Sequence, residues 1–166
     1  MTTPDLVLYD EEFQKIRQAL QRLLEDASAN LVFLVDKNGQ QIAAVGDVSS
    51  LDMTSLASLT AGNVAATDGL ARLIGDNEFS VLFHEGEKAN LYISIVARRV
   101  ILVVMFDDRA PLGLVRLRVR RATAELEIVF EEIARKVETD KLTHAEEKEA
   151  PFSEITDDDI DRLFSE

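Results

Sequence analysis

Thr54-Ser55-Leu56-Ala57-Ser58-Leu59-Thr60-Ala61-Gly62-Asn63-Val64-Ala65-Ala66-Thr67-Asp68-Gly69-Leu70-Ala71-Arg72-Leu73 reads as one helix with two apolar faces of different texture. Leu56, Leu59, Ala66, Leu70 and Leu73 recur at three- and four-residue spacing, the mark of a core-facing stripe. Ala57, Ala61, Ala65 and Gly69 recur at every fourth position and form a stripe without bulk. Such a surface is flat, and a second helix can approach it closely. The sequence therefore predicts leucines toward the core and the small stripe toward an oligomeric or protein partner. Burial of the helix on two sides within its own domain would leave the same pattern, because Ala is also the best helix former.

Before this helix, Asp10 caps a stripe of Phe13, Ile16, Leu20, Leu23, Leu24 and Ala27, with Glu11 and Glu12 at the positive helix start. Two apolar runs follow, Leu31–Val35 and Gln41–Val45. Asn38-Gly39 between them is a strong hairpin signal. The first run is apolar throughout and belongs at the centre of a sheet; the second is mixed and suits an edge. After the helix, Gly75 marks its stop. Phe79–Glu85, Leu91–Ala97 and Val100–Phe106 then read as three strands, the last uninterrupted and central. Pro111 opens a final helix, in which Leu112, Val115, Val119, Ala122, Leu126, Val129, Ile133 and Val137 keep helical spacing. Short connections within each strand group favour an antiparallel sheet with helices on its faces, an α+β fold.

The polar stretch 138–150 reads as a flexible linker. Beyond it, Phe152, Ile155, Ile160, Leu163 and Phe164 sit among Asp157, Asp158, Asp159 and Asp161, a motif too small to fold alone. The organisation is thus an extension over 1–9, a folded domain over 10–137, a linker over 138–150 and an acidic-hydrophobic partner-binding segment over 151–166. The net charge is −13, of which residues 138–166 carry −8 (eleven acids against three bases) and the other 137 residues −5. Phosphate repulsion therefore disfavours nucleic acid as a partner. The chain has no cysteine, which excludes disulfides, thiolate metal sites and cysteine catalysis. Neither a signal-peptide pattern nor an apolar run near the ~20 residues of a membrane span is present, so a cytoplasmic protein is expected.

Catalytic chemistry is sparse. No phosphate loop of the G-x-x-x-x-G-K-[ST] type occurs, and no G-x-G-x-x-G follows a strand. His84 beside Glu85 has no third partner for acid–base work and reads as a strand-end histidine that packs or hydrogen-bonds. The aspartates at 157–161 lack the central Gly and terminal Glu of a calcium loop. No cofactor and no metal are expected. Arg116, Arg118, Arg120 and Arg121 form the one dense basic cluster, with no acid between Ala110 and Ala124. It is either a solvated helix margin or a patch for an acidic partner surface, a phosphate or the chain's own tail.

The element order, Ser55-Leu56-Ala57-Ser58-Leu59-Thr60-Ala61-Gly62-Asn63 and Ala110-Pro111-Leu112-Gly113-Leu114-Val115-Arg116-Leu117 resemble the roadblock family of small dynein-light-chain-like proteins. Leu6-Val7-Leu8-Tyr9, Phe33–Gly39, Phe83-His84-Glu85-Gly86 and the tail Ile155–Phe164 extend the likeness to its bacterial polarity branch. The resemblance implies five antiparallel strands, with the central helix on one face and the two terminal helices on the other. It implies a homodimer in which the sheets join and the central helices lie side by side. It also implies a regulator of a Ras-like small GTPase at a cell pole, in bacterial polarity and gliding motility, with no active site of its own. Such a regulator stimulates hydrolysis by reshaping the GTPase, without an inserted arginine. Its tail binds the GTPase separately and promotes nucleotide exchange. By the resemblance, the GTPase-binding residues are Ala61, Ala65, Thr67, Asp68, Gly69 and Arg72, with Arg116, Arg120 and Arg121. The tail motif is Ile155, Ile160, Leu163 and Phe164. A passive dimeric scaffold that changes no rate is the alternative.

Overall fold

Asn38-Gly39 turns the chain as its sequence demands. The Asp36 carboxylate accepts from the backbone N–H of Asn38 and of Gln40, each at 2.9 Å, and Gly39 takes a φ of +89° that a side chain would resist. This turn joins β1 (Leu31–Asp36) to β2 (Gln41–Gly46) in a computed structural model that describes residues 10–153 and Arg162, with side chains through Ala145 and at Arg162. Three more strands follow: β3 (Val81–Glu85), β4 (Asn90–Val96) and β5 (Val100–Phe106). The five strands pair antiparallel in the order β2-β1-β5-β4-β3. β1, apolar up to Asp36, and the all-apolar β5 pair with each other and are buried on both faces, and the mixed β2 lies at an edge, as expected.

Alternation along the strands sorts the core into two layers. Leu31, Phe33, Val35, Ile93, Ile101 and Val103 point to one face and meet Ala57, Ala61 and Val64 of α2 (Met53–Leu73). Val32, Leu34, Tyr92, Leu102, Val104 and Phe106 point to the other, toward α1 (Asp10–Asp26) and α3 (Leu112–Ser153). The two terminal helices are tied to each other by Arg22 and Glu125 at 2.7 Å. One helix on one face and two on the other is the arrangement the resemblance implies.

Two expectations need correction. The first is the orientation of α2. Ala57 and Ala61 are buried against the sheet, whereas Leu59, Leu70 and Leu73 are 72%, 57% and 84% exposed. The small residues let α2 lie close on the strands; of the expected leucine stripe only Leu56, half-buried, packs against the core, and Leu59, Leu70 and Leu73 face outward. The second is the end of the last helix. α3 does not stop near Val137 but runs on to Ser153, across the stretch read as a linker. Polarity argues against burial, not against helix. Between Leu114 and Ala150 there is no Gly or Pro, and Glu, Ala and Arg, all good helix formers, are the commonest residues.

The described residues through Glu131 form one compact unit, and from Glu132 the chain belongs to a second. The described part of the second is the helical stretch to Ser153. There the Thr139 and Thr143 hydroxyls donate to the carbonyls of Arg135 and Thr139 at 3.0 and 2.9 Å.

Candidate functional site

Helical geometry explains how α2 divides its surface. Each residue turns the helix by about 100°, so a strict four-residue repeat advances about 40° per step. From Ala57 to Gly69 the small stripe therefore swings about 120° around the axis. Ala57 and Ala61 lie at its buried end, and Ala65 and Gly69 emerge into solvent. Asp52 caps the helix: its carboxylate accepts from the Ser55 N–H at 3.1 Å and the Ser55 hydroxyl at 2.6 Å. These bonds, the hydroxyl's first, hold the Asp52 carboxyl below its usual range.

Three surfaces result. Ala65, Gly69 and Arg72 share one exposed flank, with half-buried Asp68 at its margin. A Cβ added at Gly69 meets nothing within 4 Å, so the flank is open directly above the backbone. The opposite flank carries Asn63 and Thr67. Asn63 Nδ2 lies 3.2 Å from His84 Nε2 on β3, the hydrogen-bonded strand-end histidine that the sequence suggested. The Thr67 hydroxyl turns back to the carbonyls of Asn63 and Val64 at 3.1 and 3.0 Å. The outward face holds Leu59, Leu70 and Leu73, continued by Ile74 at 73% exposure.

Of the residues expected to bind a GTPase, the structure brings together Ala65, Gly69, Arg72 and Asp68. Ala61 must be withdrawn, because only 8% of it is exposed and it packs on the sheet. Thr67 lies on the other flank. Arg116, Arg120 and Arg121 are exposed, but on α3, across the sheet from α2. Arg121 Nε is 3.8 Å from Glu125 Oε1, on the side toward Arg22 of α1. The tail residues Ile155, Ile160, Leu163 and Phe164 lie outside the described residues. The outward leucine ridge is the feature that sequence reading assigned to the core. Its signal was present: Leu59, Ala66, Leu70 and Leu73 stay within about 60° of one another around the helix, a narrower arc than the drifting small stripe.

Among the described residues no group of three His, Asp or Glu side chains is placed to hold a metal ion. None of their helices is long and apolar enough to cross a membrane. Comparison with curated protein sequences gives no match. The Roadblock/LC7 domain matches residues 15–106. Among solved structures, MglB of Myxococcus xanthus is 59% identical, covering 77% of this chain and 96% of that one, with a TM-score of 0.74. The gliding protein MglB of Thermus thermophilus is 34% identical over 79% of this chain and 99% of that one, with a TM-score of 0.73. An MglB described in a tetrameric arrangement is 33% identical over 80% and 99%, with a TM-score of 0.75.

Proposed function

This chain belongs to the Roadblock/LC7 family, and from that premise we propose that it is a homodimeric, non-enzymatic regulator of a Ras-like small GTPase of the MglA type. It serves bacterial polarity and gliding motility, acting in the cytoplasm at a cell pole. The likeness to MglB over 96% of that protein's chain supports this reading, and the two free surfaces of α2 give it a physical form. The leucine ridge is the self-association face. An exposed run of Leu59, Leu70, Leu73 and Ile74 is costly in water, and a second α2 laid beside it buries all four.

The flank of Ala65, Gly69 and Arg72 is the GTPase-facing surface, with Asp68 at its edge. It is flat because two of its members are Ala and Gly, so the partner's backbone can approach α2 directly. Regulation through such a face works by shape. The GTPase is held in the arrangement that brings its own groups to the γ-phosphate, and no arginine enters from this chain. The segment 151–166 is a second, independent contact for the same GTPase and promotes nucleotide exchange. Its apolar residues Ile160, Leu163 and Phe164 share one face if the segment folds as an amphipathic helix on a partner groove. The test is single-turnover GTP hydrolysis by the candidate GTPase with and without this protein. Stimulation supports the reading. Binding without any change of rate makes the chain a passive scaffold.

A further inference from the structure

The side of α3 that faces away from the sheet carries an apolar line that the proposed regulation does not use. Leu117, Ala124 and Ile128 are all exposed. At about 100° and 1.5 Å per residue they stay within about 40° of one another and form a line about 16 Å long. Joining sheets edge to edge leaves this side open. Arginines border it, Arg118 and Arg121 toward α1 and Arg116 and Arg120 toward the β3–β4 hairpin. The start of α3 is a costly place for four cations. The helix dipole is positive there, and the first turn holds no acid to offset it. Arg116 and Arg120, one turn apart, repel each other. Among the described residues only Arg121 of the four has an ion pair, 3.8 Å from a Glu125 that Arg22 already holds at 2.7 Å. Nothing in the helix itself accounts for the cluster, and an anionic occupant does.

We propose that, in the protein free of its GTPase, this line is the docking site for segment 154–166 of a second copy of the chain. The segment has six acids against one base, a net of −5, which complements the arginine border. Folded as a helix it is about 20 Å long, a match to the line, and Ile160, Leu163 and Phe164 then present one apolar face to Leu117 and Ile128. The copy must be a second one. Along α3, Ser153 lies about 37 Å from Ile128 and about 54 Å from Leu117, whereas the residues from Glu154 to Ile160 span at most about 25 Å. The consequence for regulation rests on the GTPase reading above. One apolar face of the tail serves both contacts, so the free protein holds its tails and a GTPase must draw one away.

The chain has no cysteine, so Ser165→Cys gives the full-length protein a single attachment point for a nitroxide. Spin-labelled copies without isotope and isotope-labelled copies without cysteine are refolded together from urea, and paramagnetic broadening of the backbone amides is read by NMR. Amides from Leu117 to Ile128 should lose most of their intensity, and those of Leu59 to Leu73, across the sheet, should keep theirs. Leu117→Asp with Ile128→Asp, all at exposed positions, should restore the intensities, and so should Arg120→Glu with Arg121→Glu. The amide spectra themselves show that these variants are folded. Raising salt to about 0.5 M should also weaken the broadening, because exposed charges are then screened. Full intensity over 117–128 in the mixed sample, broadening only where label and isotope share one chain, or broadening that survives Leu117→Asp with Ile128→Asp would overturn the proposal. No GTPase is present in these samples. Failure here thus leaves the GTPase reading untouched, and a failed hydrolysis assay leaves this docking standing.

Discussion

At the residue scale, the turn between β4 and β5 holds Ala97 and Arg98 at φ of 50° and 59°, left-handed values that a Cβ disfavours. The Arg99 N–H reaches the Val96 carbonyl at 3.2 Å, so the turn is tight. Arg98→Gly should therefore raise stability by ~1 kcal/mol, read as a shift of the urea midpoint. A lower midpoint would mean that the arginine side chain outweighs the backbone strain. A second residue-level effect is pH-dependent. Arg109 grips Asp107 through its Nε and terminal nitrogen at 3.0 and 2.9 Å and, with the Arg109 N–H and Asn30, holds the Asp107 carboxyl well below the usual range. A depressed folded pKa stabilises the fold above the unfolded value near ~3.9 and loses that contribution as pH falls through the folded one. The stability gap between the native protein and Asp107→Asn should accordingly be constant at neutral pH and close below about pH 4, measured by urea unfolding.

At the scale of the element, α2 supplies a matched pair of substitutions. Gly69→Arg places a long side chain over open space, so the protein should fold normally and lose GTPase stimulation. Ala61→Arg forces the same side chain into the core and should prevent folding, as circular dichroism will show. A folded, fully active Gly69→Arg variant would move the docking surface elsewhere. On the outward face, Leu70→Asp with Leu73→Asp should convert the dimer to a folded monomer, read by sedimentation, since each buried leucine contributes about 2 kcal/mol. The contrast between these faces shows what was legible. The existence of α2, the hairpin at Asn38-Gly39 and the central place of Val100–Phe106 were all readable, because each depends on local periodicity or turn chemistry. Which apolar face of α2 meets the sheet was not. Periodicity identifies faces but does not rank them, and bulk is a poor guide where a helix must lie close on strands. The end of α3 was misread for a related reason: solvation and helicity are separate properties, and Glu and Lys supply both. At the candidate site, residue types pointed to a flat docking surface, but only three dimensions separate Ala61 from Ala65 and set the α3 arginines on the far side of the sheet.

At the scale of the whole molecule, a regulator that works by shape predicts an absence. An inserted arginine contributes ~10³–10⁵-fold to hydrolysis. Single Arg→Ala changes at Arg72, Arg116, Arg120 and Arg121 should cost far less at saturating protein, and Arg72→Ala should act mainly on affinity, more strongly at low salt. One arginine whose loss abolishes turnover without altering affinity would establish a finger. Removal of residues 150–166 should keep the dimer and most stimulation while weakening GTPase affinity and ending any nucleotide exchange. The open edge at β2 has its own consequence. A Cβ at Gly46 would stand 2.4 Å from the Asn30 carbonyl oxygen, and one at Gly39 would stand 3.3 Å from the Ser58 Cα. These glycines are end stops for β2. Sliding the strand by one residue drives a side chain into one slot or the other, so β2 has a single seating on β1. That register fixes β2 as the outer strand at one end of the sheet, and β3 is the free edge at the other.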